Sequence, residues 1–148
     1  MAIDTILLSV GPGDEDRLDE LSQTVLDVAG PAGARVVLAH VFSDEEYSTV
    51  RKNLNVDRNS ELTPDDVAAR YGIIRDFADR FDDVVEYEVR GAVGHRGENV
   101  VAIAEEVGAD RVVVGGRKRS PSGKAVFGST AQQIMLSAPC PVTFVRGD

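Results

Sequence analysis

The 148-residue chain has a single cysteine, Cys140. One thiol leaves no internal disulfide and suits a reducing compartment. Cys140 stands between Pro139 and Pro141 with no histidine close in sequence, so neither a metal site nor an activated thiolate is expected from it. Long apolar runs are missing too. None approaches the roughly 18 residues that span a bilayer, and Met1-Ala2-Ile3-Asp4 shows no signal-peptide pattern. No membrane partner is expected, and the expected location is cytoplasmic. Lysine is scarce: Lys52, Lys118 and Lys124 are the only lysines among 16 basic residues, set against 25 acidic ones. An acidic, lysine-poor surface suits high salt, where self-repulsion is screened, so a halophilic habitat is expected. The net charge of −9 repels duplex nucleic acid, and no nucleic-acid partner is expected.

Several familiar motifs fail. Gly123-Lys124 resembles part of a phosphate-binding P-loop, but Ala125 replaces the magnesium-ligating Ser/Thr and Lys118 stands where the first glycine belongs. Gly11-Pro12-Gly13 supplies two glycines of a dinucleotide loop, but Asp16 occupies the third position and acids crowd the turn. No G-x-S-x-G elbow and no H-E-x-x-H occurs. His40 lies within an apolar run and reads as a satisfied core or strand-end histidine. His95 falls in a glycine-rich turn. Glu105-Glu106 and Asp65-Asp66 read as solvated helix faces.

What is present alternates in kind along the chain. Thr5–Val10 (TILLSV) is an apolar run suited to a strand buried on both faces, broken by Gly11-Pro12-Gly13. Asp14, Glu15 and Asp16 then fall in the first turn of a helix, where its dipole favours acids. Leu18, Leu21, Val25, Val28 and Ala29 keep a helical stripe that Gly30-Pro31 is expected to end. Arg35–Val41 (RVVLAHV) is a second buried strand. Residues 42–63 show no period and read as a long crossover loop or lid. Thr63-Pro64-Asp65-Asp66 is a helix start, followed by Val67, Tyr71, Ile74, Ala78 and Phe81 on one face. Val84–Val89 alternates like an edge strand, and 90–97 reads as a glycine-rich turn. Val100, Ile103, Ala104 and Val107 form a stripe ending at Gly108. Arg111–Val114 is a fourth strand. A helix from about Ser129, with Gly128-Ser129 as turn and N-cap residues, carries Ala131, Ile134, Met135 and Ala138, and Val142–Val145 is a fifth strand. Strands alternating with helices imply one doubly wound α/β domain over 1–148, with a mostly parallel sheet and helices on both faces. Its ligands are expected at the carboxyl ends of the strands, where the winding reverses.

Charge points to one such end. Residues 115–148 carry five basic side chains against one acidic, a balance of +4 that leaves −13 on residues 1–114. Val112-Val113-Val114 runs into Gly115-Gly116, a basic loop from Arg117 to Phe127, and then Gly128-Ser129-Thr130 opening a helix. A glycine loop entering a helix N-terminus can hold an anion, because bare N–H groups and the positive end of the dipole converge there. Charge alone is equally satisfied by a solvated surface loop.

The spacing goes further. Gly115-x-x-Lys118, then nine residues, then Gly128-Ser129 resembles the nucleotide-binding signature of the universal stress protein (UspA-type) family. That signature is Gly, two residues, Gly, nine residues, Gly-Ser/Thr. The flanks, Asp110–Gly115 and Ser137–Val142, are also similar. So are Leu38-Ala39-His40-Val41 and the region of Gly91 with Val100–Ala104, and the resemblance covers essentially the whole chain. It implies a five-stranded parallel sheet of order 3-2-1-4-5, of the nucleotide-binding α-hydrolase-like type. It implies a homodimer through the last strand, here Val142–Arg146, pairing antiparallel across a two-fold axis. It implies ATP or a related adenine nucleotide as ligand. Adenine and ribose would lie near Ser9, Val10, Gly11, Val41 and Gly115, and the phosphates against the loop containing Gly116, Arg117 and Lys118 and against Gly128, Ser129 and Thr130. Two positions depart from the family pattern: Lys118 replaces its second glycine and Gly11 its strand-1 aspartate. The reading is a dimeric stress-response sensor or switch, with a non-nucleotide interaction module as the alternative. Weak ATP hydrolysis ranks last, since no general base or Walker-type metal ligand is evident.

Overall fold

In a computed structural model the described residues are 2–54, 62–117 and 128–147. Five strands, β1 (Thr5–Val10), β2 (Arg35–Phe42), β3 (Tyr87–Val93), β4 (Arg111–Arg117) and β5 (Val142–Gly147), form one sheet of order β3-β2-β1-β4-β5. Every pairing is parallel, with Leu8 opposite both Leu38 and Val113. The order reverses at β1, between β2 and β4, and this reversal locates the site.

The strand sequences explain the layering. Parallel strands are linked by helices that cover both faces, so β1 and β2 read as unbroken apolar runs rather than alternating ones. Ile6, Leu8, Val36, Leu38 and Val113 pack on one face against α1 (Leu18–Ala32) and α4 (Gly72–Phe81), which contribute Leu21, Val25, Ala29, Ile74, Phe77 and Phe81. Leu7, Val37, Ala39, Val41, Val112 and Val114 face the other way, against α5 (Arg96–Val107) and α6 (Ser129–Ser137), which bring Val100, Ile103, Ala104, Ala131 and Ile134. Each such aliphatic or aromatic side chain contributes about 1.5–3 kcal/mol by leaving water.

Several expectations need correction. The stretch 42–63 is not wholly loop: Asp44–Asn53 forms a helix, α2. Ser43 caps it by accepting from the Glu46 N–H, Asp44, Glu45 and Glu46 fill the positive first turn, and Arg51 and Lys52 fill the last. α2 buries no residue fully, which is why it shows no apolar stripe; Tyr47, Val50 and Leu54 lean on a small cluster around Phe42. Residues 55–61, including Asn55, Asn59 and Ser60, lie outside the described residues.

The helix entered at Thr63 starts as expected, with a capping box between Thr63 and Asp66 and Pro64 in the first turn. It does not run through. α3 (Pro64–Arg70) ends at Tyr71, whose backbone is extended (ψ 136°), and α4 begins at Gly72. β3 lies three residues later than the alternation suggested and runs through Gly91 rather than turning there. Gly91 donates its N–H to Asp65 at 2.6 Å, and a Cβ at Gly91 would run into the Pro64 carbonyl. The glycine therefore marks the seat of α3 on an edge strand, not a turn. α1 continues past Gly30-Pro31 to Ala32 and closes on Gly33 in the left-handed conformation (φ 66°). β4 likewise continues through Gly115-Gly116 to Arg117, paired with Val145, Arg146 and Gly147.

Candidate functional site

The carboxyl ends of β1, β2 and β4 meet the N-termini of α5 and α6 around a cleft of about 330 Å³. Ser9, Val10 and Gly11 enter it from β1, Val41 from β2, Gly115 and Gly116 from β4, and Gly128, Ser129 and Thr130 from the start of α6. The structure thus brings together candidates that the sequence separates by more than a hundred positions. Arg117 is placed as the last residue of β4, and Lys118 lies outside the described residues with the rest of the basic loop through Phe127.

At the α6 side the donors are backbone. α6 starts at Ser129, as expected, and Gly128 is its N-cap (φ −65°, ψ 161°), which offers no side-chain cap. The first N–H groups of a helix have no intrahelical acceptor, and here they border the cleft. Val41, Val100, Val114 and Ala131 give this side an apolar floor.

The opposite side contains residues that the sequence did not single out. Asp14–Arg17 is a 3-10 turn that precedes α1, and Asp14 and Arg17 are both buried rather than solvated. Asp14 Oδ2 accepts the Gly11 N–H at 2.7 Å, while Oδ1 accepts from Arg17 Nε at 3.0 Å and Nη2 at 2.8 Å. Burial pushes the Asp14 carboxyl above the usual carboxylate range, with the Gly11 N–H and the Arg17 guanidinium opposing it. The usable signal was the i,i+3 Asp–Arg spacing behind Gly13, which bends the chain inward at φ 83°. This pair also accounts for Gly115: a Cβ there would stand 2.8 Å from Asp14 Oδ1. A Cβ at Gly116 would stand 2.8 Å from the Phe144 ring. Both glycines are thus required by neighbouring side chains, independently of any ligand.

His40 sits directly beneath this wall and is 2% exposed. Its Nδ1 is 2.8 Å from the Val10 carbonyl, so Nδ1 carries a proton and donates. Its Nε2 is 2.8 Å from Glu46 Oε1 of α2. Glu46 also accepts from Arg96 Nη2 at 3.3 Å, and the imidazole packs against Tyr71 at 4.8 Å between centroids. His40 is thus a satisfied histidine that ties α2 and α5 to the end of β1. His95 is the residue before α5, its carbonyl accepting from Asn99. Burial raises the Cys140 thiol, with Asp110 adding to the effect, which disfavours the thiolate. Among the described residues no group of three or more His, Cys, Asp or Glu could hold a metal ion, and no helix is long and apolar enough to cross a membrane.

The fold agrees with what the chain is similar to. A protein of Mycolicibacterium smegmatis described as a universal stress protein is 35% identical over 80 residues, a match covering 53% of this chain and 62% of that relative. A solved universal stress protein in complex with cAMP superposes with a TM-score of 0.67 at 22% identity, over 100% of each chain. An Arabidopsis thaliana universal stress protein family protein with AMP bound superposes at 0.65 and 14% identity, over 98% of this chain and 92% of that one. At these identities the two structures speak for the fold, which shares the doubly wound sheet found here. The family profile itself, described as the universal stress protein family, matches residues 3–146, and the chain belongs to that family.

Proposed function

We propose that the cleft binds an adenine nucleotide, ATP or a related one, with its phosphates at the N-terminus of α6 and its base over the apolar floor. One observation carries this reading: Gly128, Ser129 and Thr130 present an N-terminus without a side-chain cap to the same cleft that receives the ends of β1, β2 and β4. Two superposed relatives, described with cAMP and with AMP bound, support it. The cleft's volume falls within the usual range for small-ligand sites. Isothermal titration with ATP and AMP, at low and at high salt, tests the reading. Saturable binding is expected for wild type. Gly128→Val, whose side chain would cover the helix N-terminus, is expected to weaken nucleotide binding by about tenfold or more, the loss of a charge-assisted contact. Wild type without saturable binding, or a G128V variant that binds like wild type, sinks it.

In this reading the protein is a cytoplasmic, dimeric stress sensor or switch. β5 supports the dimer, because it is an edge of the sheet and presents one unpaired side to a second copy. Light scattering showing twice the chain mass, dependent on concentration, is the expected result. Copurification of a protein partner with no nucleotide released from the protein would favour the alternative, an interaction module. The expected halophilic character predicts that thermal stability rises with added salt.

A further inference from the structure

Arg17 borders the cleft although only 8% of it is exposed. Its Nε and Nη2 are taken up by Asp14, and Nη2 also approaches the Pro12 carbonyl at 3.4 Å. Nη1 makes no hydrogen bond to any described residue. Among the described residues, no side-chain nitrogen or oxygen is both sealed from solvent and unpartnered, so Nη1 is within reach of solvent on a residue that lines the cleft. A guanidinium stays protonated and has no acceptor of its own, so this N–H can be satisfied only by water or by an acceptor on a ligand.

Its place in the fold defines which part of a ligand it can meet. Gly115 presents its α1 side to Asp14, Arg17 and Leu21, whereas Val100 and the start of α6 belong to the opposite face of the sheet. Arg17 therefore stands across the cleft from the free N–H groups of α6. Its charge is offset by Asp14 at 2.8 Å, so the pair offers a directed N–H rather than a net positive field. Such a donor suits an uncharged acceptor better than a phosphate, whose charge the helix N-terminus serves.

We propose that Arg17 reads the nucleoside part of the ligand, donating from Nη1 to a ring nitrogen or sugar oxygen, with Asp14 as the positioning residue that holds the guanidinium. The assignment rests on the nucleotide reading above. With glycine at position 11, the Asp14 carboxylate on this wall is taken up by the Gly11 N–H and by Arg17, and the arginine is the group left with an N–H to give.

The test compares wild type with the double variant D14N/R17M, which removes both buried charges and keeps an acceptor for the Gly11 N–H. Titrations use AMP, adenosine and inorganic tripolyphosphate, with circular dichroism to confirm folding. AMP and adenosine should weaken by the same factor, on the order of tenfold, while tripolyphosphate is unchanged. R17K, which keeps the charge but loses the fork that grips Asp14, should weaken adenosine in the same way. Wild-type affinity for adenosine in both variants overturns the assignment. So does a loss confined to AMP, which would place Arg17 on phosphate, or a joint loss of all three ligands, which would reveal a distorted cleft. Wild type that binds neither AMP nor adenosine overturns the nucleotide reading and this assignment together, whereas a wild type that binds beside an indifferent variant overturns this one alone.

Discussion

The two walls of the cleft both end in the start of a helix, yet they handle their free backbone donors in opposite ways. On the β1 wall the Gly11 N–H is taken by Asp14, Asp14 is taken by Arg17, and the group is closed apart from Nη1. On the α6 wall Gly128 offers no side chain, and a Cβ added there would meet no atom of a described residue within 4 Å. The first wall is built for rigidity and the second for access. A buried carboxylate in the first wall makes that wall poor at receiving another anion, and leaves the anion to the second.

The comparison breaks most severely at Asp14. Asp14→Ala leaves a buried guanidinium unpaired and the Gly11 N–H without its acceptor, and should cost about 3–5 kcal/mol by urea denaturation. A loss below about 1 kcal/mol, the scale of an exposed pair, would show that the wall is open to water. Gly115→Ala comes next. Its Cβ would press on Asp14 Oδ1 and Arg17 Nε, and the expected cost is about 1–3 kcal/mol. Gly128→Ala is the comparison on the open wall; it meets no described atom and loses only the preference of an N-cap for glycine over alanine, expected to cost about 0.5–1 kcal/mol. Equal costs at Gly115 and Gly128 would erase the distinction.

Acid sharpens the contrast among carboxylates. Asp66, bonded by the Thr63 N–H and hydroxyl, and Asp110, bonded by the Asp4 and Thr5 N–H groups, are both held below the ordinary value of 3.8. For a carboxylate whose folded pKa is lowered, the added stability is complete above 3.8 and disappears as pH falls through the folded value. Asp14 is shifted the other way by burial and does not share in that loss. Melting temperature should therefore fall as pH drops below about 4, and fall less steeply in a D66A/D110A variant. Parallel curves for the two proteins would dismiss the effect of these two bonds.

Local chemistry was legible and tertiary approach was not. The capping box at Thr63 and Asp66, the left-handed stop at Gly108 and the apolar runs of β1 and β2 act within a few residues, so their residue types disclose them. The convergence of Ser9, Val10, Val41, Gly115 and Gly128 on one cleft also followed, because a doubly wound order and a matching glycine spacing leave few places for a site. Gly91 and Gly115 misled because a glycine that admits another element looks, in sequence, like a glycine that makes a turn. Asp14 misled because an acid in a first helical turn is ordinarily exposed, and only the path of the chain after Gly13 turns it inward. α2 was missed because a helix held by its caps and a shallow contact with Phe42 carries no apolar period.

The sequence by itself determined the alternation of strands and helices, the family and the glycine that opens α6, since periodicity, caps and spacing are local or nearly so. Only the tertiary structure decided that Asp14 and Arg17 form a wall of the cleft, that His40 is tied to Glu46 and Arg96, and that Gly115 is reserved for a neighbouring ion pair. Those roles depend on which side chains long crossovers bring within about 3 Å, the range of a hydrogen bond, and no local pattern encodes that distance.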